Sequence, residues 1–166
     1  MDKHLYFICP SDHLEATINK TYKQENYFCT SLANSILFDD ETITNIGALI
    51  ESKHIFDITF VLATDNPVVK DALVGHHFSN INGLSKFNQL MYARKQRFGL
   101  LIQKKDLSFS MLNYHLHLKV NELQKTLQGQ RFAKHIKIDA KLYNRERHHF
   151  RQVNLNTFYK ENFSLN

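Results

Sequence analysis

The chain of 166 residues contains no tryptophan and very little proline, glycine or cysteine. Two cysteines, Cys9 and Cys29, are too few for a disulfide framework, so a reducing cytoplasm is the expected compartment. The five glycines form no glycine-rich phosphate loop, and the sequence has no Gly-x-Ser-x-Gly nucleophile motif. Because no apolar run approaches the roughly 18 residues of a membrane span and no signal-peptide pattern is present, we expect neither a transmembrane segment nor a cleaved leader.

Composition places the chain among ordinary globular domains. An apolar fraction of 43% is enough for a sizeable core, and a charged fraction of 22% is typical. The charge is unevenly distributed, since residues 94–151 hold 14 lysines and arginines against 4 aspartates and glutamates. Such a basic half can attract an anion or a nucleic acid. Its charges are spread along the segment and no aromatic-basic motif accompanies them, however, so a solvated face is favoured over nucleic-acid binding.

The first half of the sequence alternates strand and helix patterns. Three short apolar segments predict strands, over residues 5–9, 27–29 and 58–62, and the first and third are expected to be buried. Ser11 or Asp12 can cap the first helix, Asp39 precedes a second, and Asn66 before a proline is a favourable N-cap for a third. This alternation predicts an α/β fold with a mainly parallel sheet flanked by helices.

The second half predicts long helices followed by an antiparallel hairpin. Leucines and valines at spacings of three or four predict a helix that begins at Asp106 or Ser108 and stops near Gly129. Residues 136–142 then alternate apolar and charged side chains, which is typical of a strand with one wet face. A turn and a return strand over residues 149–153 complete the hairpin.

Four segments, in order, resemble motifs of the β-class carbonic anhydrases. Residues 60–73 are similar to the strand–turn–helix that carries a His-x-x-Cys pair in that family, and residues 7–13 to its first strand and Cys-x-Asp-x-Arg turn. Residues 31–36 look like its Arg-Asn-Ala-Gly-Asn-Ile loop. The long helix with residues 136–153 resembles its closing helix and hairpin.

The resemblance implies a β-carbonic-anhydrase-like domain over residues 1–154, with residues 155–166 as a C-terminal arm. It also implies a homodimer through the sheet edge, although the family's N-terminal helical arm is absent. That family binds zinc through two thiolates and an imidazole. Only Cys9 matches one of those positions, and Asp12 is shifted by one residue from the family's aspartate.

The remaining positions that correspond to the family's zinc site carry no histidine or cysteine. They are Ala63, Thr64, Asp65 and Asn66, followed by a proline. A catalytic zinc needs about three protein ligands, so we expect no cofactor and a catalytically degenerate protein. Its expected role is binding or regulation, with an unidentified protein partner or a small anion as the ligand.

Three alternatives remain open from the sequence. A carbonic anhydrase with a rebuilt zinc site could draw on Cys9, His13 and either Cys29 or Asp65, although both cysteines are also typical of small buried side chains. Asp12 and Asp65 could act as acid and base or bind a cation, but residues of this kind more often cap the following helix. The further alternative is anion or nucleic-acid binding through the basic half.

Overall fold

The computed structural model describes residues 2–74, 81, 83–98 and 104–154, without the side chains of 97–98 and 104–106. The expected arm over residues 155–166 lies outside this range. No helix within the described residues is long and apolar enough to cross a membrane.

The strands of the described residues form one five-stranded sheet in the order β2-β1-β3-β4-β5. They are β1 (Lys3–Ile8), β2 (Glu25–Thr30), β3 (Asp57–Ala63), β4 (Lys137–Asn144) and β5 (His149–Gln152). The first four run parallel and β5 returns antiparallel to β4. The predicted mainly parallel α/β sheet and its C-terminal antiparallel hairpin are confirmed.

Helices flank the sheet where the sequence predicted them. They are α1 (Glu15–Thr21), α2 (Asp40–Lys53), α3 (Pro67–Val74), α4 (Ser85–Phe98) and α5 (Lys104–Leu127). Asp39 caps α2 by accepting a 2.8 Å hydrogen bond from the Thr42 amide, and Asn66 caps α3 through a 2.9 Å bond from the Val69 amide. Gly129, with a φ of 95°, follows the end of α5.

Two helix starts differ from the sequence prediction. Ser11 and Asp12 do not cap α1, because residues 10–12 form a short 3-10 turn and the N-cap of α1 is Leu14. The Asp12 carboxylate instead turns into the protein. The long helix α5 begins at Lys104, before both predicted starts, Asp106 and Ser108. Its first turn is charged and therefore lacks the apolar spacing from which the start was predicted.

The sheet separates two apolar clusters. The larger one joins the sheet to α2, α3, α4 and α5, and at its centre the Phe7 and Phe60 rings stack with centroids 4.7 Å apart. Phe38 meets both rings edge-on. The smaller cluster packs Ile18 of α1 against Tyr6 on the opposite face. Burial on both faces explains why β1 and β3 are continuous apolar runs.

We expect Phe60→Ala to lower the free energy of unfolding by about 3–5 kcal/mol, since it removes a fully buried ring and leaves a cavity. Phe56→Ala, four residues earlier, should cost less than about 0.5 kcal/mol because Phe56 is 55% exposed. Urea denaturation of both variants measures the difference. Equal losses would contradict this placement of the core.

Candidate functional site

The Asp12 carboxylate lies at the carboxyl end of the parallel strands, in the turn that follows β1. It is fully buried. Oδ2 accepts a 2.8 Å hydrogen bond from the Ala63 amide at the end of β3, and Oδ1 accepts a 2.8 Å bond from the Asn66 side-chain amide. One carboxylate therefore joins the end of β1 to the β3–α3 turn.

Arg145, in the turn between β4 and β5, closes the same site from the hairpin. Its Nη2 donates a 2.6 Å hydrogen bond to the Asp12 carbonyl oxygen and lies 3.9 Å from Asp12 Oδ1. Its Nε donates a 3.0 Å bond to Asp65 Oδ1. The two carboxylates that the sequence singled out are thus brought to one guanidinium. Neither caps α3, because Asn66 does so, which corrects the expectation for Asp65 as well.

Burial and hydrogen bonding act in opposite directions on the pKa of Asp12. Burial has the larger effect and raises the pKa, whereas the bonds from Ala63 and Asn66 and the charge of Arg145 lower it. Both carboxylate oxygens already accept hydrogen bonds from protein groups. This geometry suits a structural link better than an acid or base that must reach a substrate.

Cys9, the one residue that matches a zinc ligand of the family, is also enclosed by protein. Its side chain is fully buried. The Ala33 amide donates to Sγ at 3.1 Å, and Ser11 Oγ lies 3.0 Å from the same sulfur. The thiol therefore joins β1 to the loop that follows β2.

That loop adopts an uncommon backbone conformation. Ala33 and Asn34 both have left-handed φ angles, 51° and 54°, which are unfavourable for residues other than glycine. Asn34 Nδ2 holds the loop against the sheet by donating to the carbonyl oxygens of Phe7 at 3.2 Å and Val61 at 3.0 Å. Strain of this kind persists only where surrounding contacts fix it.

His115, on α5, supports the loop from the helix layer. Its Nε2 lies 2.7 Å from the Ala33 carbonyl oxygen, and its ring meets Phe87 edge-on. Burial lowers the pKa of His115 to about 4, so the ring is neutral at pH 7 and Nε2–H can donate to the carbonyl. Sequence reasoning did not single out His115 for this role, because its partner lies 82 positions away.

The residues proposed for a rebuilt zinc site occupy different environments. His13 is exposed and has a left-handed φ of 52°, whereas Cys9 is buried. Cys29 lies half-buried on β2 opposite Phe7, and burial raises the pKa of its thiol. In the described part of the chain, no three His, Cys, Asp or Glu side chains are grouped so as to hold a metal ion.

The donor atoms at this position do not fit a catalytic zinc site. Such a site uses about three thiolate, imidazole or carboxylate ligands and one open position. Here the ends of β1 and β3 offer one thiol, in contact with Ala33 and Ser11, and two carboxylates. Asp12 is bonded to Ala63 and Asn66, and Asp65 is bonded to Arg145. The Thr64 hydroxyl is a poor zinc ligand by comparison.

We predict that Arg145→Gln destabilises the fold more at pH 7 than at pH 4. With the pKa of Asp12 raised above its unfolded-state value, the contribution of Asp12 to stability is fully present below that unfolded-state value and is lost as the pH rises through the folded-state pKa. Without Arg145 that pKa rises further and the loss is larger. Because the arginine side chain is 40% exposed, solvent screening limits the expected loss at pH 7 to about 1 kcal/mol.

Chemical denaturation at the two pH values measures this difference. The exposed neighbour Arg147 provides the matched variant Arg147→Gln, which should leave the pH dependence unchanged. If Arg145→Gln destabilised the protein equally at both pH values, this result would contradict a role of Arg145 in stabilising the ionised Asp12 carboxylate.

Comparison with known proteins relates this arrangement to one fold. No protein-family model and no curated protein sequence matches the chain. Among solved structures, the β-carbonic anhydrase CafD of Aspergillus fumigatus matches with a TM-score of 0.72 at 14% identity, over 93% of this chain and 90% of that one. A Coccomyxa β-carbonic anhydrase in complex with acetazolamide matches with a TM-score of 0.72 at 13% identity, over 92% and 72%.

A third match extends the comparison to an assembly of known size. One of two tetrameric β-carbonic anhydrases from Sordaria macrospora gives a TM-score of 0.69 at 12% identity, over 92% of this chain and 80% of that one. Identities this low establish architecture alone. The resemblance expected from the sequence motifs is confirmed at that level, and the chain has the fold of the β-carbonic anhydrases.

Proposed function

We propose that this chain is a catalytically degenerate carbonic-anhydrase-like protein that works without zinc. Its role is binding or regulation, with a partner protein or a small anion as the ligand. The observation that supports this most directly is the Asp12 carboxylate, which lies at the turn corresponding to the family's site and accepts bonds from Ala63 and Asn66.

Hydrogen bonds cross-link the strand ends at the position where a metal ion and its ligands would otherwise do so. A metal ion at strand ends cross-links them through its ligands. Here Asp12 links β1 to β3, and Cys9 links β1 to the loop after β2. A satisfied buried network of this kind specifies one local arrangement. The scaffold therefore retains its shape with no metal.

Protein purified without chelator or metal-affinity steps should contain far less than one zinc per chain and should not accelerate carbon dioxide hydration. Cys9→Ala should leave both readouts unchanged, since the proposal gives Cys9 no metal to bind. Elemental analysis and a stopped-flow pH-indicator assay supply the two measurements.

The rebuilt-site alternative makes the opposite prediction. About one zinc per chain, lost in Cys9→Ala together with hydration activity, would sink the degenerate-site proposal. Cys29→Ala is the matched thiol control. It keeps Cys9 intact and separates a metal held by one cysteine from a metal held by both.

We also propose that the protein is located in a reducing cytoplasm and forms a homodimer through a sheet edge. Both cysteines are free thiols. Within the described residues β2 and β5 are the edge strands. Strand β5 is four residues long and carries exposed Arg151 and Gln152, a common defence against edge pairing, whereas β2 is longer and half-buried. The tetrameric state of the Sordaria proteins supports an oligomer, and strand length favours β2 as the contact.

The mass in solution should correspond to two chains by light scattering. Thr30→Lys, at an exposed position of β2, should shift the protein toward single chains because a lysine on an edge strand disfavours pairing with another strand. Gln152→Lys adds the same charge to β5 and should leave the dimer intact. A single-chain mass for the unmodified protein would refute the dimer.

A further inference from the structure

A cavity of about 290 Å³ lies between α5 and the β4–β5 hairpin, at the carboxyl end of the parallel strands. We call it the hairpin pocket. Its polar lining consists of Thr64, Asn144, Arg147, His149 and Arg151. It touches the position of the family's zinc site only through Thr64 and shares no residue with the Asp12–Arg145 network.

Strand register explains why these side chains meet. Asn144 pairs with His149, and directly opposite residues of an antiparallel ladder project from the same face. Leu142 pairs with Arg151 two positions further along the same face. The Thr64 amide donates a 2.9 Å bond to the Tyr143 carbonyl oxygen, which brings Thr64 alongside this row.

The apolar side of the hairpin pocket positions one of its cations. Phe109 of α5 and Leu142 of β4 form this side. The Arg151 guanidinium lies 4.9 Å from the centroid of the Phe109 ring, a cation–π contact that restrains the side chain. The contact partly orients this exposed cation before any ligand arrives.

The polar groups of the pocket are mainly hydrogen-bond donors. Two guanidiniums and an imidazole line it, and no aspartate or glutamate does. Within the described residues neither Arg147 nor Arg151 forms an ion pair, in contrast to Arg145, which contacts two carboxylates. Asn144 Oδ1 accepts a 2.8 Å bond from the Arg147 amide, so its side-chain NH2 group remains to donate.

We propose that the hairpin pocket binds a small oxyanion of the phosphate class, either inorganic phosphate or the phosphate group of a small molecule. Guanidinium forks match the oxygens of such an anion, and two such cations line the pocket with no carboxylate to pair with them. The cavity is larger than one tetrahedral oxyanion, which leaves room for a small organic group beside Phe109. This inference assigns a ligand class to the binding role proposed above, and it rests on the proposed function only in that respect.

Calorimetric titration with inorganic phosphate and with phenyl phosphate tests the proposal, at an ionic strength held constant with chloride. We expect saturable binding of one anion per chain. Arg147→Gln should weaken it at least about tenfold, equivalent to about 1.4 kcal/mol, and Arg151→Lys should weaken it less because the charge remains while the fork is lost. Tighter binding of phenyl phosphate would identify a small organic phosphate as the source, and equal binding would identify the inorganic ion.

Arg131→Gln supplies the matched control. Arg131 is exposed near the amino end of β4, and its substitution removes the same charge as Arg147→Gln. Its affinity should equal that of the unmodified protein. Thermal melting verifies that each variant is folded. The anion affinity of Thr64→Val, which removes one neutral donor from the pocket, gives a second measurement.

Absence of saturable binding, or equal weakening by Arg131→Gln, would overturn the proposal. Competition by a single-stranded RNA that binds more tightly, with affinity falling steeply with salt, would also overturn it in favour of nucleic-acid binding. Stoichiometric zinc would contradict the proposed function without affecting these titrations, so the failures of the two proposals are distinguishable.

Discussion

The buried Asp12 carboxylate is the contact on which this arrangement depends. Through Ala63, Asn66 and Arg145 it connects β1, β3, the start of α3 and the β4–β5 hairpin. A buried charge is unfavourable when it is unpaired. Removal of one hydrogen-bond partner therefore leaves a buried carboxylate whose desolvation is no longer fully compensated. The four elements are therefore coupled, and a shift of any one of them exposes the carboxylate to an unfavourable environment.

A second set of contacts protects Cys9 in the same way. The left-handed Ala33 presents its amide to the sulfur, Asn34 secures the loop to the sheet, and His115 contacts the carbonyl of Ala33. The first two contacts join the loop to the sheet, and the third joins it to the helix layer. Together with the Asp12 network, these contacts fix the positions of the strand ends. The neighbouring β4–β5 hairpin can therefore carry the side chains of the proposed pocket without being the only element that maintains the fold here.

Local signals in the sequence were sufficient for the elements but not for the network. Continuous apolar runs predicted β1 and β3, and the Asn66–Pro67 pair predicted the start of α3, because these depend on neighbouring residues. The closeness of Asp12 and Asp65 could be predicted as well, since both follow parallel strands. Arg145 could not, since its bond to Asp12 spans 133 positions and no spacing rule links a hairpin turn to the first strand.

The basic half of the chain illustrates why charge counts alone are a poor guide to function. Lys119 is held by the Ile36 carbonyl oxygen and Glu122, and Arg145 by Asp12 and Asp65, so these cations serve the fold. Arg147 on the hairpin is different, since it lines a cavity without a carboxylate. Lys119 is buried and so departs from the solvated basic face that the sequence favoured, whereas Arg147 is exposed. Location relative to carboxylates, which only the structure provides, separates cations that stabilise the protein from cations able to bind a ligand.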